Sequence, residues 1–503
     1  MVRRIACALF VLVSAACAVG PAYQRPSAPA PAAFKEARPA AAPDDWKTAH
    51  PGDEAARGNW WEVFGDPVLD ALEGQVAVSN LTVAQAEAAF RGAQALARGA
   101  RASYLPTIST VPSAVRSSGV STHSSGGAAP TVTSYTFPVS LAWELDVFGR
   151  VRRTTEAGVA GAQASAADLA AVTLAMQAEL AADYFVLRGL DSERRLLDST
   201  VAAYQTALEL TTNRYRQGVV SGVDVAQAQT VLEATRVQAT DLGVTRAQVE
   251  HAIAVLVGKA PAEFAVPDRS VPVAPPDVPP GVPSELLERR PDIAAAERRV
   301  AAANAQIGVA KAAYFPTLTL GGTGGYGSST LTDFFSLPNR FWSLGPALAE
   351  TLFDGGRRRA TTEQALAGYD ASVAAYRASV LNAFQEIEDN LAALRILAEE
   401  AREQAAAVAA AERLLAMAKN RYVAGITTYL EVVTAQSAAL ANERAAVELS
   451  TRQMTASVNL IKALGGGWRA SDLPATGAVL SRRAPAAPQG VAGRETATAP
   501  EIR

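Results

Sequence analysis

Between Ser134 and Val147 apolar and polar residues alternate almost without a break. Tyr135, Phe137, Val139, Leu141, Trp143, Leu145 and Val147 stand against Ser134, Thr136, Pro138, Ser140, Ala142, Glu144 and Asp146. A period of two belongs to a strand with two unlike faces, and this run exceeds the roughly nine to eleven residues that a tilted strand needs to cross a bilayer. Leu318 and Leu320 alternate with Thr317 and Thr319, and Trp342, Leu344, Pro346 and Leu348 with Ser343, Gly345, Ala347 and Ala349. The stretch after Pro106 is less regular. The polar segments SSGVSTHSSGGAAPT and SSTLTDFFSLPN separate the paired strands, as hairpin tips in water would, so the pattern predicts two hairpins, at about 106–148 and 316–353.

Outside the hairpins the period lengthens. Thr155 to Gln217 and Arg358 to Val423 contain no proline, and alanine dominates them with Leu174, Leu180, Tyr184 and Leu187 at helical spacing. Each predicts a helix of about 60 residues, some 90 to 100 Å long at 1.5 Å per residue. Small side chains let such helices pack closely along their whole length.

The two halves are copies. YLPTI at 104 returns as YFPTL at 314, DVFGRVRR at 146 as LFDGGRRR at 352, NRYRQG at 213 as NRYVAG at 420, and VLVG at 255 as KALG at 462. Four landmarks in one order, at offsets of 206 to 210, indicate a duplication. It divides the chain into repeat 1 (68–265), a Pro-rich linker (266–284) and repeat 2 (285–466). A Pro/Ala-rich segment within 17–67, read as an extended tether that cannot pack, precedes them, and a tail expected to be disordered (467–503) follows.

Composition narrows the classes. The 503 residues are 49% hydrophobic and 19% charged, which excludes wholesale disorder. Net charge is −3, and no basic patch is interleaved with aromatics, which argues against nucleic acid as a partner. The three histidines, His50, His123 and His251, lie far apart, so no metal, cofactor or catalytic constellation is expected and the chain does not read as an enzyme. Gly322, Gly324 and Gly327 fit G-x-G-x-x-G, but no helix follows to hold a pyrophosphate, and strand glycines are the better reading. Asn80-Leu81-Thr82 matches a glycosylation sequon, which would have no bearing if the cell is bacterial.

Residues 1–16 have the form of a secretory signal, with Arg3 and Arg4 ahead of a short apolar run. Ser14-Ala15-Ala16-Cys17 has the shape of a lipobox with Ser14 in place of the usual Leu, which would put a diacylglycerol on Cys17. Ordinary cleavage after Ala15 or Ala16 is the competing reading. No later stretch reaches about 18 uninterrupted apolar residues, which leaves membrane passage to β-strands.

Four strands cannot close a barrel, because the smallest membrane barrels use about eight and an open edge in lipid leaves backbone groups unpaired. Copies must therefore share one, giving eight strands from two chains or twelve from three. The long helices then project into the periplasm, and a hollow body spanning membrane and periplasm conducts rather than catalyses.

CAVGPAYQRP at 17–26, NWWEVFGDPVLDAL at 59–72 and LLERRPDI at 286–293, on top of the duplicated plan, resemble the TolC-like outer-membrane efflux channels, in particular the NodT/OprM-type lipoproteins. The resemblance covers residues 17 to about 467. It implies a mainly α homotrimer with a shared twelve-stranded barrel and a helical periplasmic tunnel, anchored in the outer membrane and surrounded by its lipids. It also implies a periplasmic adaptor protein and an inner-membrane transporter of the resistance-nodulation-division type as partners, for export of drugs or other small toxic compounds. In LLERRPDI, Pro291 and Asp292 also suit a helix start.

By that resemblance the turns at 213–229 and 420–436 are the periplasmic ends, with Tyr215, Asp224, Arg421, Tyr422, Thr428 and Glu431 as gate or tip residues. The lipid-facing barrel positions are Tyr135, Phe137, Val139, Leu141, Trp143, Leu318, Leu320, Trp342 and Leu344. Asp224 and Glu431 read equally as first-turn residues of a helix, favoured by its dipole. For Arg214 and Arg421 the competing role is a surface salt bridge, and for the two tyrosines packing at the turn. The rival functions are the exit channel of a type I protein secretion system and a periplasmic coiled-coil scaffold.

Overall fold

A computed structural model describes residues 19–31, 33–36, 59–118, 131–269, 275–276 and 286–481. The signal, Cys17, most of the linker, the first hairpin's loop and the end of the tail lie outside these residues.

Each repeat is built from the same three helices. In repeat 1, after a short helix α1 (Pro67–Ser79), they are α2 (Leu81–Ala102), α3 (Arg150–Arg216) and α4 (Gly222–Leu256). In repeat 2 they are α5 (Pro291–Ala312), α6 (Arg357–Val423) and α7 (Tyr429–Ala463). Lengths match within each pair, at 22, 67 and 35 residues. The longest pair thus spans about 100 Å.

Glycine closes each repeat. The return helices α4 and α7 are followed by Gly258 (φ +70°) and Gly465 (φ +96°), in the left-handed region that favours glycine. A Cβ on Gly258 would fall 2.2 Å from the Ser79 carbonyl oxygen, and one on Gly465 2.1 Å from that of Arg289. One residue on, Asn80 donates to the Leu256 carbonyl (2.8 Å) and Arg290 to the Ala463 carbonyl (3.0 Å). Asn80 also caps α2 by accepting from the Thr82 and Val83 amides at 2.8 and 3.0 Å, so the apparent sequon is a buried helix cap. Pro291 occupies the first turn of α5, while the Arg290 guanidinium holds Asp292 and Glu386.

Between the outgoing and descending helices lie the strands: β1 (Thr107–Thr110), β2 (Ser113–Ser117), β3 (Val132–Leu145), β4 (Thr317–Ser328) and β5 (Arg340–Ala349). β1 and β2 pair in succession with β3, interrupted around Val111 and Pro112, and Pro112 has no amide to donate. This is the physical form of the irregularity after Pro106. All pairs are antiparallel, in the order β1/β2, β3, β4, β5, so the hairpins of the two repeats join through β3 and β4 into one sheet of four strand positions. Each descending helix starts from a left-handed glycine, Gly149 (φ 80°) or Gly356 (φ 92°), and an aspartate takes its free amides. Asp146 accepts from Val151 and Arg152 at 2.9 and 2.7 Å, and Asp354 accepts from Gly356 and Arg358 at 3.0 and 3.1 Å.

The main core lies where α1, α3, α4 and α7 meet, around Trp60, Trp61, Leu69, Leu180, Tyr184, Leu187, Ile253 and Val458. The Tyr184 hydroxyl donates to Asp66 at 2.5 Å, and Asp66 caps α1 through the Val68 amide. Among the described residues α3 alone is long and apolar enough to cross a membrane, and its Leu180, Tyr184 and Leu187 are fully buried in this core.

Three expectations need correction. The N-terminal segment is extended yet packed: Phe34 is buried against Phe384, the Lys35 and Glu36 amides donate to Glu388 at 2.7 and 2.9 Å, and Arg377 donates to the Ser27 carbonyl. Its few large side chains suffice because a single strap needs only scattered anchors. The tail is not disordered from 467, because Trp468 and Leu473 pack beside α5 and Val479 is fully buried against Ala97, Val159 and Ala162. Nor is the second hairpin loop wholly polar, since Phe335 packs edge-on against Phe137 and Tyr326.

Glu73 of α1 is 0% exposed, and neither carboxylate oxygen has a partner among the described residues. Burial, reinforced by the nearby Asp70, pushes its pKa up to about 9. The folded state therefore holds a proton that the unfolded chain releases near pH 4.5, and stability from this group is full below that value and falls as pH rises towards 9. Thermal melting of the Glu73→Gln variant is expected to lose this slope and to exceed the wild-type midpoint at pH 8, with the difference shrinking at pH 5. Parallel pH profiles for the two proteins would contradict it.

Candidate functional site

Two regions carry the candidate residues. The first is the sheet. The register sets Tyr135 opposite Ser328, Phe137 opposite Tyr326, Val139 opposite Gly324, Leu141 opposite Gly322, Trp143 opposite Leu320 and Leu145 opposite Leu318. It sets Leu318, Leu320, Gly322 and Gly324 opposite Leu348, Pro346, Leu344 and Trp342. Directly paired residues share a face. Tyr135, Phe137, Val139, Leu141, Trp143, Leu318, Leu320, Trp342 and Leu344 therefore stand on one side of the sheet, with Ile108 added from β1. The other side carries Thr136, Ser140, Glu144, Thr319, Thr323 and Ser343. Gly322, Gly324 and Gly327 sit within β4, on neighbouring strands' side chains.

The outer end of the apolar face is aromatic. Phe137, Tyr326, Phe334 and Phe335 form a chain of ring contacts at 5.0 to 6.5 Å, and Trp342 is 73% exposed. Such a band suits the boundary between lipid and water. The Phe334-Phe335 pair was hidden in a loop that reads as polar by composition.

The second region is the pair of helical turns at the far end. The Arg214 guanidinium lies 4.7 Å from the centre of the Tyr422 ring and donates to the Tyr422 carbonyl at 2.8 Å. The Tyr422 hydroxyl donates to Thr211 at 3.3 Å, and its ring meets Tyr429 edge-on at 5.2 Å. Tyr422 is consequently only 4% exposed, whereas its counterpart Tyr215 is 51% exposed beside Gly222. Arg421 pairs with Glu431 at 3.6 Å, both half exposed. Asp224 accepts from the Ser221 amide at 3.1 Å as part of a capping box at the start of α4. Thr428 sits before α7 with its side chain exposed and making no cap bond. Burial pushes the Tyr429 hydroxyl up to about 12, so it carries no charge at neutral pH.

The geometry thus gathers Arg421 with Glu431 and Tyr422 with Arg214, but leaves Tyr215 apart and gives Asp224 a helix-capping task. Arg214 makes a clasp to the other repeat rather than a surface salt bridge. Its equivalence to Arg421 was the only sequence signal, and equivalence conceals the different partner.

The Outer membrane efflux protein family matches residues 72–259 and 282–466, one segment in each repeat. The chain belongs to this family. Outer membrane protein OprJ of Pseudomonas aeruginosa is 33% identical over 467 residues, covering 92% of this chain and 95% of that one. The toluene efflux pump outer membrane protein TtgF of Pseudomonas putida is 33% identical over 455 residues, covering 90% and 94%. Among solved structures, the outer-membrane channel OprN superposes with a TM-score of 0.82 at 31% identity, covering 90% of this chain and all of that one. The chain is thus an outer-membrane efflux protein with the mainly helical fold of these channels.

Two tip variants separate capping from clasping. Asp224→Ala is expected to destabilise the start of α4 by about 1 kcal/mol, the usual cost of a lost cap. Arg214→Ala removes a charge-assisted bond and a ring contact, and should cost on the order of 2 kcal/mol. Hydrogen exchange at residues 213–229 and 420–436 reads both: the first variant speeds exchange in its own turn only, the second in both.

Proposed function

We propose that three copies close a twelve-stranded barrel in the outer membrane and continue it as a helical tunnel, forming the passive exit duct of a tripartite pump for small toxic compounds. The observation that carries this reading is the sheet. One face carries apolar side chains on β1, β3, β4 and β5, with Arg116 and Arg340 on it only at the outer end, and neither β1/β2 nor β5 has a neighbour on its outer edge among the described strands. Because the paired strands alternate in direction, β5 of one copy meets β1 of the next antiparallel, and closure satisfies every edge. The apolar residues then face lipid, and the threonines and serines face water.

The partners are those that the family resemblance implies. A duct without a source of energy needs a pump, which we take to be an inner-membrane transporter of the resistance-nodulation-division type, with a periplasmic adaptor to couple them. The tips at Tyr215, Asp224, Arg421, Tyr422, Thr428 and Glu431 form the end that meets them, and three copies bring Asp224 and Glu431 to a ring of carboxylates that draws cations.

Lipid attachment at Cys17 fits the path of the N-terminal segment. The Val19 amide donates to the Phe148 carbonyl at 3.2 Å, at the junction between β3 and α3. Cys17 is two residues earlier, within about 7 Å of chain reach, so an acyl group on it enters the leaflet at the barrel's foot. The Cys17→Ser variant should lose the lipid mass while retaining the fold.

The test is the native mass of protein extracted from outer membranes in mild detergent, together with conductance in planar bilayers. Three chains per particle and steady ion-conducting steps are expected. A monomer, or protein confined to the soluble periplasm, would overturn the channel and favour a scaffold.

A further inference from the structure

The apolar face of the sheet has a gap in its middle. Along β4 that face presents Leu318, Leu320, Gly322, Gly324 and Tyr326. Gly322 is covered by Leu344 of β5, whose Cδ1 lies 3.1 Å from where a Cβ would stand. Gly324 is open: a Cβ there would meet nothing nearer than the Phe341 carbonyl oxygen at 3.8 Å. Its φ also lies outside the left-handed region, so neither packing nor backbone conformation calls for glycine at this position. The missing side chain leaves a depression of about 460 Å3, floored by Gly324 and walled by Phe137, Val139, Tyr326, Arg340 and Trp342.

Arg340 gives this notch its chemistry. It stands opposite Tyr326, eight residues along β4 from Leu318 at the foot of the sheet. Eight residues cover about 27 Å of strand, or about 20 Å along the membrane normal at the usual tilt, and the apolar band of a membrane barrel is about 25 Å tall. The guanidinium is therefore near the outer boundary of that band, beside the Phe334 and Phe335 rings that meet Tyr326. Among the described residues no carboxylate pairs with it and no side-chain hydrogen bond holds it. A guanidinium is a planar fork that matches the oxygens of a phosphate, and the walls beneath this one are hydrocarbon apart from the Tyr326 hydroxyl. A cation above an apolar gap complements a lipid whose phosphate lies next to its acyl chains.

We propose that each copy holds one anionic phospholipid of the outer leaflet in this notch, with the phosphate on the Arg340 guanidinium and one acyl chain against Gly324 between Trp342 and Val139. This rests on the lipid-facing orientation proposed above and adds a specific ligand to it. The floor and walls all come from β3, β4 and β5, so the site is complete within a single chain. A free phosphate lacks the chain that fills the gap, and an uncharged lipid lacks the group that meets the cation. The bound lipid supplies both, and it gives an otherwise unpaired charge at the edge of the hydrocarbon its counter-ion.

The test is native mass spectrometry of protein extracted from outer membranes in mild detergent, freed of lipid and titrated with three probes: phosphatidylglycerol, the diacylglycerol with the same chains, and glycerol phosphate. Phosphatidylglycerol should bind once per chain and about tenfold or more tighter than diacylglycerol, as a charge-assisted contact provides, while glycerol phosphate stays unbound. Arg340→Gln should erase that preference and leave the weaker binding of diacylglycerol. Gly324→Leu, whose side chain enters the open gap, should weaken both lipids although Arg340 is intact. A preference that survives Arg340→Gln, lipid binding unchanged in Gly324→Leu, or equal binding of glycerol phosphate overturns the site, and three chains per particle in the same spectra leave the oligomer standing. A particle of one chain overturns the oligomer, and the titration still decides the notch, which lies within one chain. Protein found only in the soluble periplasm overturns both.

Discussion

The structure depends on a backbone contact made twice, where the end of each return helix is pressed against the start of the same repeat. Gly258 on the Ser79 carbonyl and Gly465 on that of Arg289 leave no room for a Cβ, and both need a left-handed backbone. From each of these points the chain runs up one helix of 22 residues, through a hairpin, down 67 residues and back 35. Closing such an excursion fixes the height of everything on it. Because the two closures are equivalent and the helix lengths match, both hairpins reach one level and join as a single sheet, and both tips reach another. Without the contact, the return helices could slide by a turn, about 5 Å, and neither level would be shared.

Duplication supplies equivalent residues, and a single chain cannot satisfy them equally. β3 of repeat 1 pairs with β4 of repeat 2, whereas among the described residues the equivalent strand β5 of repeat 2 meets no further strand. The result is visible in Tyr422 and Tyr215, which have the same residue type and the same turn, yet 4% and 51% exposure. It is visible again in β3, paired on both sides, and β5, paired on one. An open strand edge is costly in water and more so in lipid.

Local and periodic features were legible in the sequence. The expected helices from Thr155 to Gln217 and from Arg358 to Val423 differ by only a few residues from Arg150–Arg216 and Arg357–Val423, because an uninterrupted alanine-rich pattern between glycine corners leaves few other outcomes. Alternation placed nine apolar residues on one face of the sheet, since a register cannot mix the two sides of a strand without a bulge. What escaped depends on partners distant in sequence. Asn80 looks like a sequon until the Leu256 carbonyl, 176 positions away, gives it a bond. Val479 looks like part of a polar tail until Ala97 and Ala162 enclose it. At the tip, Arg214 and Arg421 sit in the same motif, and only the fold shows that one reaches a carbonyl across the repeat boundary while the other turns to Glu431.

That difference ranks the contacts at the tip. The Arg421–Glu431 pair is half exposed and screened, worth about 0 to 1 kcal/mol. The Arg214 clasp combines a charge-assisted bond to a carbonyl with a cation over a buried ring, together on the order of 2 to 3 kcal/mol. Within one chain the two turns are therefore held as a single body, with Thr211, Tyr422 and Tyr429 locked between them. The exposed Arg421–Glu431 pair is therefore the weaker of the two contacts, and the Arg214 clasp is the one that holds the turns of the two repeats together.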